Sequence, residues 1–211
     1  MVRSADELDR FAEQAARLGA HHLNVQIAGP PERLEDALAL VDALVPAAER
    51  APLPVFFETH RGRLSQDMAL FLRLVACRPT LRLTGDLSHY VVAGEMDLPL
   101  SPQQLAGYDR ILRNCEAFHG RVATAHQVQA PLGPHHRPWT ELFLGWWRTG
   151  FDYWLARHGA ADELSFMVEL GPPPYAVTDA QGQELTDRWA EAKAMKDMVR
   201  AGRVRLDRFR R

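Results

Sequence analysis

The stretch PVFFETHRGR (residues 54–63) places an apolar run directly before a group of ionisable side chains. The letters VFF are typical of a buried strand, and the next letters bring a carboxylate, an imidazole and two guanidinium groups. A strand that only reaches the surface needs no more than Asp, Asn or Gly at its end. The stretch therefore indicates either a strand that ends in solvated polarity or one wall of a site. Its ionisable residues are Glu58, His60, Arg61 and Arg63.

Helical and extended patterns alternate on both sides of this stretch. The first helix begins at a capping box formed by Ser4 and Glu7, and the helix near residue 101 has Pro102 in its first turn. Apolar residues at helical spacing define the others. Strands are predicted at 21–29, 54–60, 81–90, 115–122 and 164–171, and helices at 4–18, 32–50, 64–76, 101–112, 139–158 and 187–199.

This alternation predicts an α/β fold with about five parallel strands built from right-handed βαβ units. No linker or break in composition divides the chain, so we expect a single domain over residues 1–211. The order of elements alone leaves open whether the sheet is flat or curled.

The composition is that of an ordinary globular protein, with 46% apolar residues and a net charge of −2. A near-neutral charge gives no reason to expect nucleic acid as a partner. Cys77 and Cys115 form neither a disulfide framework nor a zinc-type spacing, which suits a reducing compartment. The sequence lacks a signal-like segment and an apolar run of about 18 residues, so we expect a cytoplasmic protein that does not enter a membrane.

The last stretch, RAGRVRLDRFRR (residues 200–211), is rich in arginine. Basic tails of this length are usually solvated, and a contact with phosphate or a partner is the alternative. We expect a solvated tail.

Four of the predicted strands end in metal-binding types of residue. Parallel strands place their carboxyl ends on one face, so these side chains are expected to converge, as they do at the active-site face of a (β/α)8 barrel. Several buried carboxylates repel one another unless something positive lies among them, and a divalent cation is the simplest candidate. Mixed oxygen and nitrogen ligands suit Mn²⁺, Mg²⁺, Co²⁺ or Zn²⁺. The converging residues are Glu58, Asp86, His119 and Glu169.

The segments FFETHRGRLSQD, LRLTGDLSHYVVAGE, FHGRVATAHQVQAP and VELGPPPYA together resemble the xylose-isomerase-like TIM barrel superfamily, the sugar phosphate isomerase/epimerase group. The resemblance implies that Glu58, Asp86, His119 and Glu169 hold the metal, and that Glu58 and Glu169 are the acid and base. His126 is the alternative to His119 as the third ligand.

The resemblance also implies residues that bind a carbohydrate-like substrate. His89 would face the substrate or an auxiliary metal, Arg121 would approach a substrate oxygen or phosphate, and Gln129 would contact the substrate from a loop. His60 and His126 complete the expected substrate-binding set.

The activity implied is metal-dependent isomerisation or epimerisation of a small sugar, sugar phosphate or related hydroxy-carbonyl compound, by proton transfer through an enediolate. Two alternatives are hydrolysis of phosphodiesters, as endonuclease IV performs, and a non-catalytic barrel fragment that serves as a binding or assembly subunit.

If Glu169 closes the eighth barrel strand, the strand at 21–29 is the fourth, and the chain resembles an incomplete (β/α)8 TIM barrel. A full barrel takes about 250 residues. We therefore expect the inward faces of LNVQIAG and SFMVELG to be partly bare and apolar, and a homo-oligomer or another partner to cover the open sheet edges.

Overall fold

Helices and parallel strands alternate along the chain in the computed structural model, which describes residues 1–159 and 162–209, with 203–209 described by backbone only. The strands are β1 (Leu23–Val25), β2 (Val55–Glu58), β3 (Leu83–Gly85), β4 (Cys115–Gly120) and β5 (Ser165–Val168). The helices are α1 (Ala5–Arg17), α2 (Leu34–Arg50), α3 (Met68–Cys77), α4 (Ser88–Ala93), α5 (Pro102–Leu112), α6 (Arg137–Arg157) and α7 (Arg188–Phe209), with a 3-10 turn at Pro134–His136.

The strands form one sheet in the order β1-β2-β3-β4-β5, and every neighbouring pair is parallel. The sheet is curled into an open half-barrel, which is consistent with an incomplete TIM-like barrel. The predicted fold class, α/β with five parallel strands alternating with helices, is confirmed.

The two faces of the sheet differ in chemistry. On the convex face, Val25, Phe57 and Leu83 lie in register and are buried in the core against the helices. On the concave face, Asn24 of β1 and Gln26 just after it hydrogen-bond through their side chains to the Glu58 carboxylate of β2. The expectation of a bare apolar concave face is therefore wrong for β1, because its inward residues are amides that the site uses.

The predicted strand at 81–90 is also partly wrong. β3 ends at Gly85, and α4 begins at Ser88. The Asp86 carboxylate accepts hydrogen bonds from the backbone N–H and the hydroxyl of Ser88, at 3.1 and 2.5 Å. This turn directs the chain into a helix at once, so residues that alternate like a strand lie on the first turns of α4 instead.

The last helix continues past its predicted end at 199, since α7 runs to Phe209. Part of the arginine-rich tail is therefore helical in its backbone. The expected solvation of the tail concerns side chains that mostly lie outside the described residues. Within the described part of the chain, no helix is both long and apolar enough to cross a bilayer.

The sheet has open edges at β1 and β5, and a short segment covers part of the first. Val2 pairs in parallel with Ile27 just beyond β1, donating to the Gln26 carbonyl at 2.9 Å. Exposed apolar side chains flank both edges, among them Leu18 near β1 and Met167 on β5. We predict self-association through these edges, which light scattering checks; a monodisperse monomer at high concentration would contradict it.

Candidate metal centre

Four side chains from four neighbouring strands meet at the carboxyl end of the sheet. Glu58 is the last residue of β2, His119 is near the end of β4, and Asp86 and Glu169 directly follow β3 and β5. Each offers one ligand atom, and these atoms all lie within 4.8 Å of one another. We call this group of four residues the cluster. The convergence predicted from the strand ends is therefore present in the fold.

Glu58 is buried and is oriented by two amides from β1. Asn24 Nδ2 donates to Glu58 Oε2 at 2.6 Å, and Gln26 Nε2 lies 3.2 Å from both carboxylate oxygens. Burial raises the pKa of Glu58, and this effect exceeds the opposing effect of the charge on His119. The carboxylate is thus fixed in direction while its proton affinity is increased.

Asp86 forms a buried ion pair with Arg121. Arg121 Nη2 lies 2.5 Å from Asp86 Oδ2, and Arg121 Nε donates to Ser88 Oγ at 3.1 Å. Burial alone would raise the pKa of Asp86, but Arg121, helped by the nearby histidines and Ser88, lowers it to about 2. Thr59 fixes the backbone here, since its hydroxyl bonds to both the N–H and the carbonyl of Asp86 at 2.9 Å. Asp86 is therefore an anion at neutral pH.

His119 and Glu169 lie within ion-pair distance of each other. His119 Nδ1 lies 2.6 Å from Glu169 Oε2, yet neither atom has an aligned hydrogen-bond partner among the described residues. An imidazole nitrogen and a carboxylate oxygen that approach so closely can also share a cation. Three carboxylates and one imidazole are also a donor set that divalent cations accept. The residues present therefore fit a metal ion, and its identity is a separate question.

Without a cation, His119 is the group that takes up positive charge. Burial would lower its pKa, but Glu169, Asp86 and Glu58 outweigh burial and raise it. A metal ion must therefore displace a proton from this imidazole when it binds.

We predict that the affinity for Co²⁺ rises with pH, by up to about tenfold per pH unit below the raised pKa of His119, because proton and cation compete for one imidazole. Calorimetry in two buffers of different ionisation enthalpy measures the protons released. His119→Asn should bind more weakly and lose most of this dependence, while His126→Asn should behave as the wild type. Equal pH dependence in all three proteins would contradict the assignment.

The other residues expected at the site lie in different places. His60 and His89 lie in contact beside the cluster, with ring centroids 3.7 Å apart and ring planes tilted by 39°. Arg121 is 2% exposed and is occupied by Asp86 and Ser88. His126 is exposed and outside the cluster, so the arrangement favours His119 as the third ligand.

Gln129 contacts backbone in the structure. Its side chain donates to the Gly171 carbonyl at 3.0 Å and accepts from the Gly171 N–H at 2.8 Å. Both ends of the amide are thereby used to hold the loop that follows Glu169. The substrate contact expected of Gln129 stays a prediction, whereas its role in positioning this loop follows from the two bonds.

Sequence reasoning missed several residues that organise the site. The amides Asn24 on β1 and Gln26 just after it were available as a signal, since residues two apart in an extended chain share one face of the sheet. Tyr175 gave no such signal: its ring lies 5.1 Å from the Arg121 guanidinium carbon, and only the folded loop brings it there.

No protein-family model matches this chain, and no curated protein matches its sequence. Fold and site together define the class to which the protein belongs: an α/β half-barrel with a largely buried carboxylate–imidazole cluster, able to hold a metal ion, at the carboxyl end of its parallel strands.

Proposed function

We propose that this protein is a divalent-metal-dependent isomerase or epimerase of a small hydroxy-carbonyl compound, such as a sugar or sugar phosphate. The observation that carries the proposal is the convergence of the four cluster residues within 4.8 Å at the strand ends. This is the end of a parallel α/β barrel sheet where active sites are built. The resemblance of the same segments to the sugar phosphate isomerase/epimerase group supports it.

The cluster would hold the cation through three oxygen donors and one nitrogen donor. That set suits Mn²⁺, Mg²⁺, Co²⁺ or Zn²⁺. When bound, the ion would stabilise negative charge that develops on the substrate's carbonyl and hydroxyl oxygens. Arg121 stays paired with Asp86 and supports the site by keeping that carboxylate ionised.

Two carboxylates would move the proton. A carboxylate base acts best when its pKa lies closer to the working pH, and burial raises the pKa of Glu58 in that direction. Asn24 and Gln26 hold this carboxylate in one orientation. Glu169 lies across the cluster with its side chain 36% exposed, so a substrate could reach this second carboxylate from solvent.

Deuterium exchange tests the reaction class without knowledge of the product. The protein is incubated in D₂O with Co²⁺ or Mn²⁺ and a panel of sugars and sugar phosphates, and proton NMR follows the C–H next to the carbonyl. We expect exchange at that carbon in at least one substrate, abolished by chelator and unchanged in Glu163→Gln, a change at an exposed carboxylate just before β5. A cation bound without any exchange would contradict the proposal and favour a binding subunit, whereas hydrolysis of a phosphodiester control would favour the endonuclease-IV-like alternative.

A further inference from the structure

We propose that the substrate carries an anionic oxygen group, a phosphate or a carboxylate, and that this group binds to Arg61 and Arg63 on the loop after β2. The identity of the bound molecule as a substrate rests on the proposed function. The anion site itself rests on the geometry of the two arginines and can be tested without turnover.

Both arginines are half-buried and lack a carboxylate partner. Arg63 bonds only to neutral acceptors, the Gln26 side chain and the Gly62 carbonyl, at 3.0 and 2.9 Å. Arg61 has no side-chain hydrogen bond or ion pair within the described part of the chain. A partly desolvated guanidinium without an anion is costly, because burial weakens its hydration.

Every other described arginine that is not fully exposed is paired with a carboxylate. Arg78, Arg121 and Arg188 form ion pairs with Asp42, Asp86 and Glu184 at 2.5, 2.5 and 3.1 Å. Among the arginines whose side chains are described, the remaining ones without a carboxylate are exposed. The two loop arginines are therefore exceptions at a position next to the cluster.

The loop is joined to the cluster through Gln26. This amide accepts from Arg63 Nε and donates to Glu58, so Arg63 lies two hydrogen bonds from a cluster carboxylate. Gly62, with a φ of +68°, makes the turn between the two arginines. A small molecule that reaches the cluster with one end can therefore contact the arginines with the other.

The buried imidazole of His89, beside His60, supplies a further donor. His89 is 1% exposed, and its Nδ1 has no hydrogen-bond partner among the described residues. Arg121 Nη2 lies 3.0 Å from His89 Nε2, and because a guanidinium can only donate, Nε2 accepts and the ring proton is on Nδ1. This buried Nδ1–H is unused and can donate to an oxygen of the same ligand.

A second cation is the competing occupant, since Glu58, His60 and His89 also offer ligand atoms within 4.8 Å of one another. The positive charges around these three residues disfavour a second cation. Arg121 Nη2 lies only 3.0 Å from His89 Nε2, and the charge of Arg63 acts on His60. When the cluster holds a divalent cation, that ion and Arg121 together balance its three carboxylates. The charges of Arg61 and Arg63 then stay unbalanced, which matches a phosphate carrying about two negative charges.

Anion binding to metal-free protein tests the inference, because chelation removes binding to a cluster cation. Inorganic phosphate and malonate are titrated by calorimetry at low ionic strength into the wild type, two double variants at positions 61 and 63, and one single control variant. We expect Arg61→Gln/Arg63→Gln to weaken binding by about tenfold or more for each arginine. Arg61→Lys/Arg63→Lys should recover part of the affinity, and Arg73→Gln, an exposed control, should change nothing.

Tighter phosphate binding would assign a phosphorylated substrate, and tighter malonate binding a carboxylated one. Equal affinities in the Gln double variant and the wild type, or no binding of either anion to the wild type, would overturn the anion site. So would two equivalents of Co²⁺ per chain, because the second would occupy the imidazoles. If the protein binds the anion but catalyses no deuterium exchange, the anion site stands and the isomerase proposal is rejected. If it catalyses exchange but binds no anion, only the anion site is rejected.

Discussion

Replacing Asp86 with Ala is expected to lower the free energy of unfolding by about 3–5 kcal/mol, because the buried Arg121 guanidinium loses its closest anion and keeps only Glu169 at 3.6 Å. Asp86 is 0% exposed and Arg121 2% exposed. The same carboxylate also accepts from the N–H and hydroxyl of Ser88 at the start of α4. Urea denaturation of metal-free protein measures the loss, and the absence of metal keeps a change in cation binding out of the comparison.

Asp42→Ala is the matched control. Asp42 pairs with Arg78 at the same 2.5 Å separation, but the two side chains are 47% and 38% exposed. Water screens such a pair, so its loss should cost no more than about 1 kcal/mol. Similar losses in the two variants would show that Asp86 contributes to stability no more than a surface pair does, and that the site is less desolvated than its geometry indicates.

The candidate site could be found from the sequence because the topology of parallel strands does most of the positioning. Glu58, Asp86, His119 and Glu169 each occur at the end of an apolar run, and parallel pairing alone brings such ends together. The choice between His119 and His126 depended on where β4 ends, and that strand ends at Gly120. Local patterns were therefore sufficient for the residues that lie on strands.

Contacts that side chains make after the strands end were harder to predict. Asp86 bonds to Ser88 and so starts α4, which the strand-like letters after Gly85 did not suggest. Arg121 was expected to meet the substrate, but its partner Asp86 lies on another strand, and no pattern within either segment reports that pair. Tertiary contacts of this kind override local propensity, and they decide which arginine side chain remains available to a ligand.

The same distinction separates the three arginines near the site. Arg121 follows β4 and is used inside the protein, whereas Arg61 and Arg63 have no carboxylate. From the sequence the three were equivalent cations close to strand ends. Only the partners seen in the fold show that the charges of the loop after β2 are available to an anionic ligand.

Glu169→Gln is expected to slow deuterium exchange by about 10²- to 10⁴-fold, the range for loss of a general acid or base, while weakening Co²⁺ binding by only about tenfold. The amide keeps one oxygen for the cation but loses the charge and the basicity. Glu169 is a cleaner position for this test than Glu58. An amide at 58 would face the donating amides of Asn24 and Gln26, so its orientation would change along with its basicity.

Exchange at saturating substrate and Co²⁺ affinity are measured on the same preparation, and Glu163→Gln is the control, since Glu163 is an exposed carboxylate just before β5. The control should keep both values. A near-normal exchange rate in Glu169→Gln would reject its acid–base role even if the cation still binds. Equal losses of rate and affinity would instead mean that Glu169 acts only as a ligand, and that Glu58, the buried carboxylate with the raised pKa, moves the proton alone.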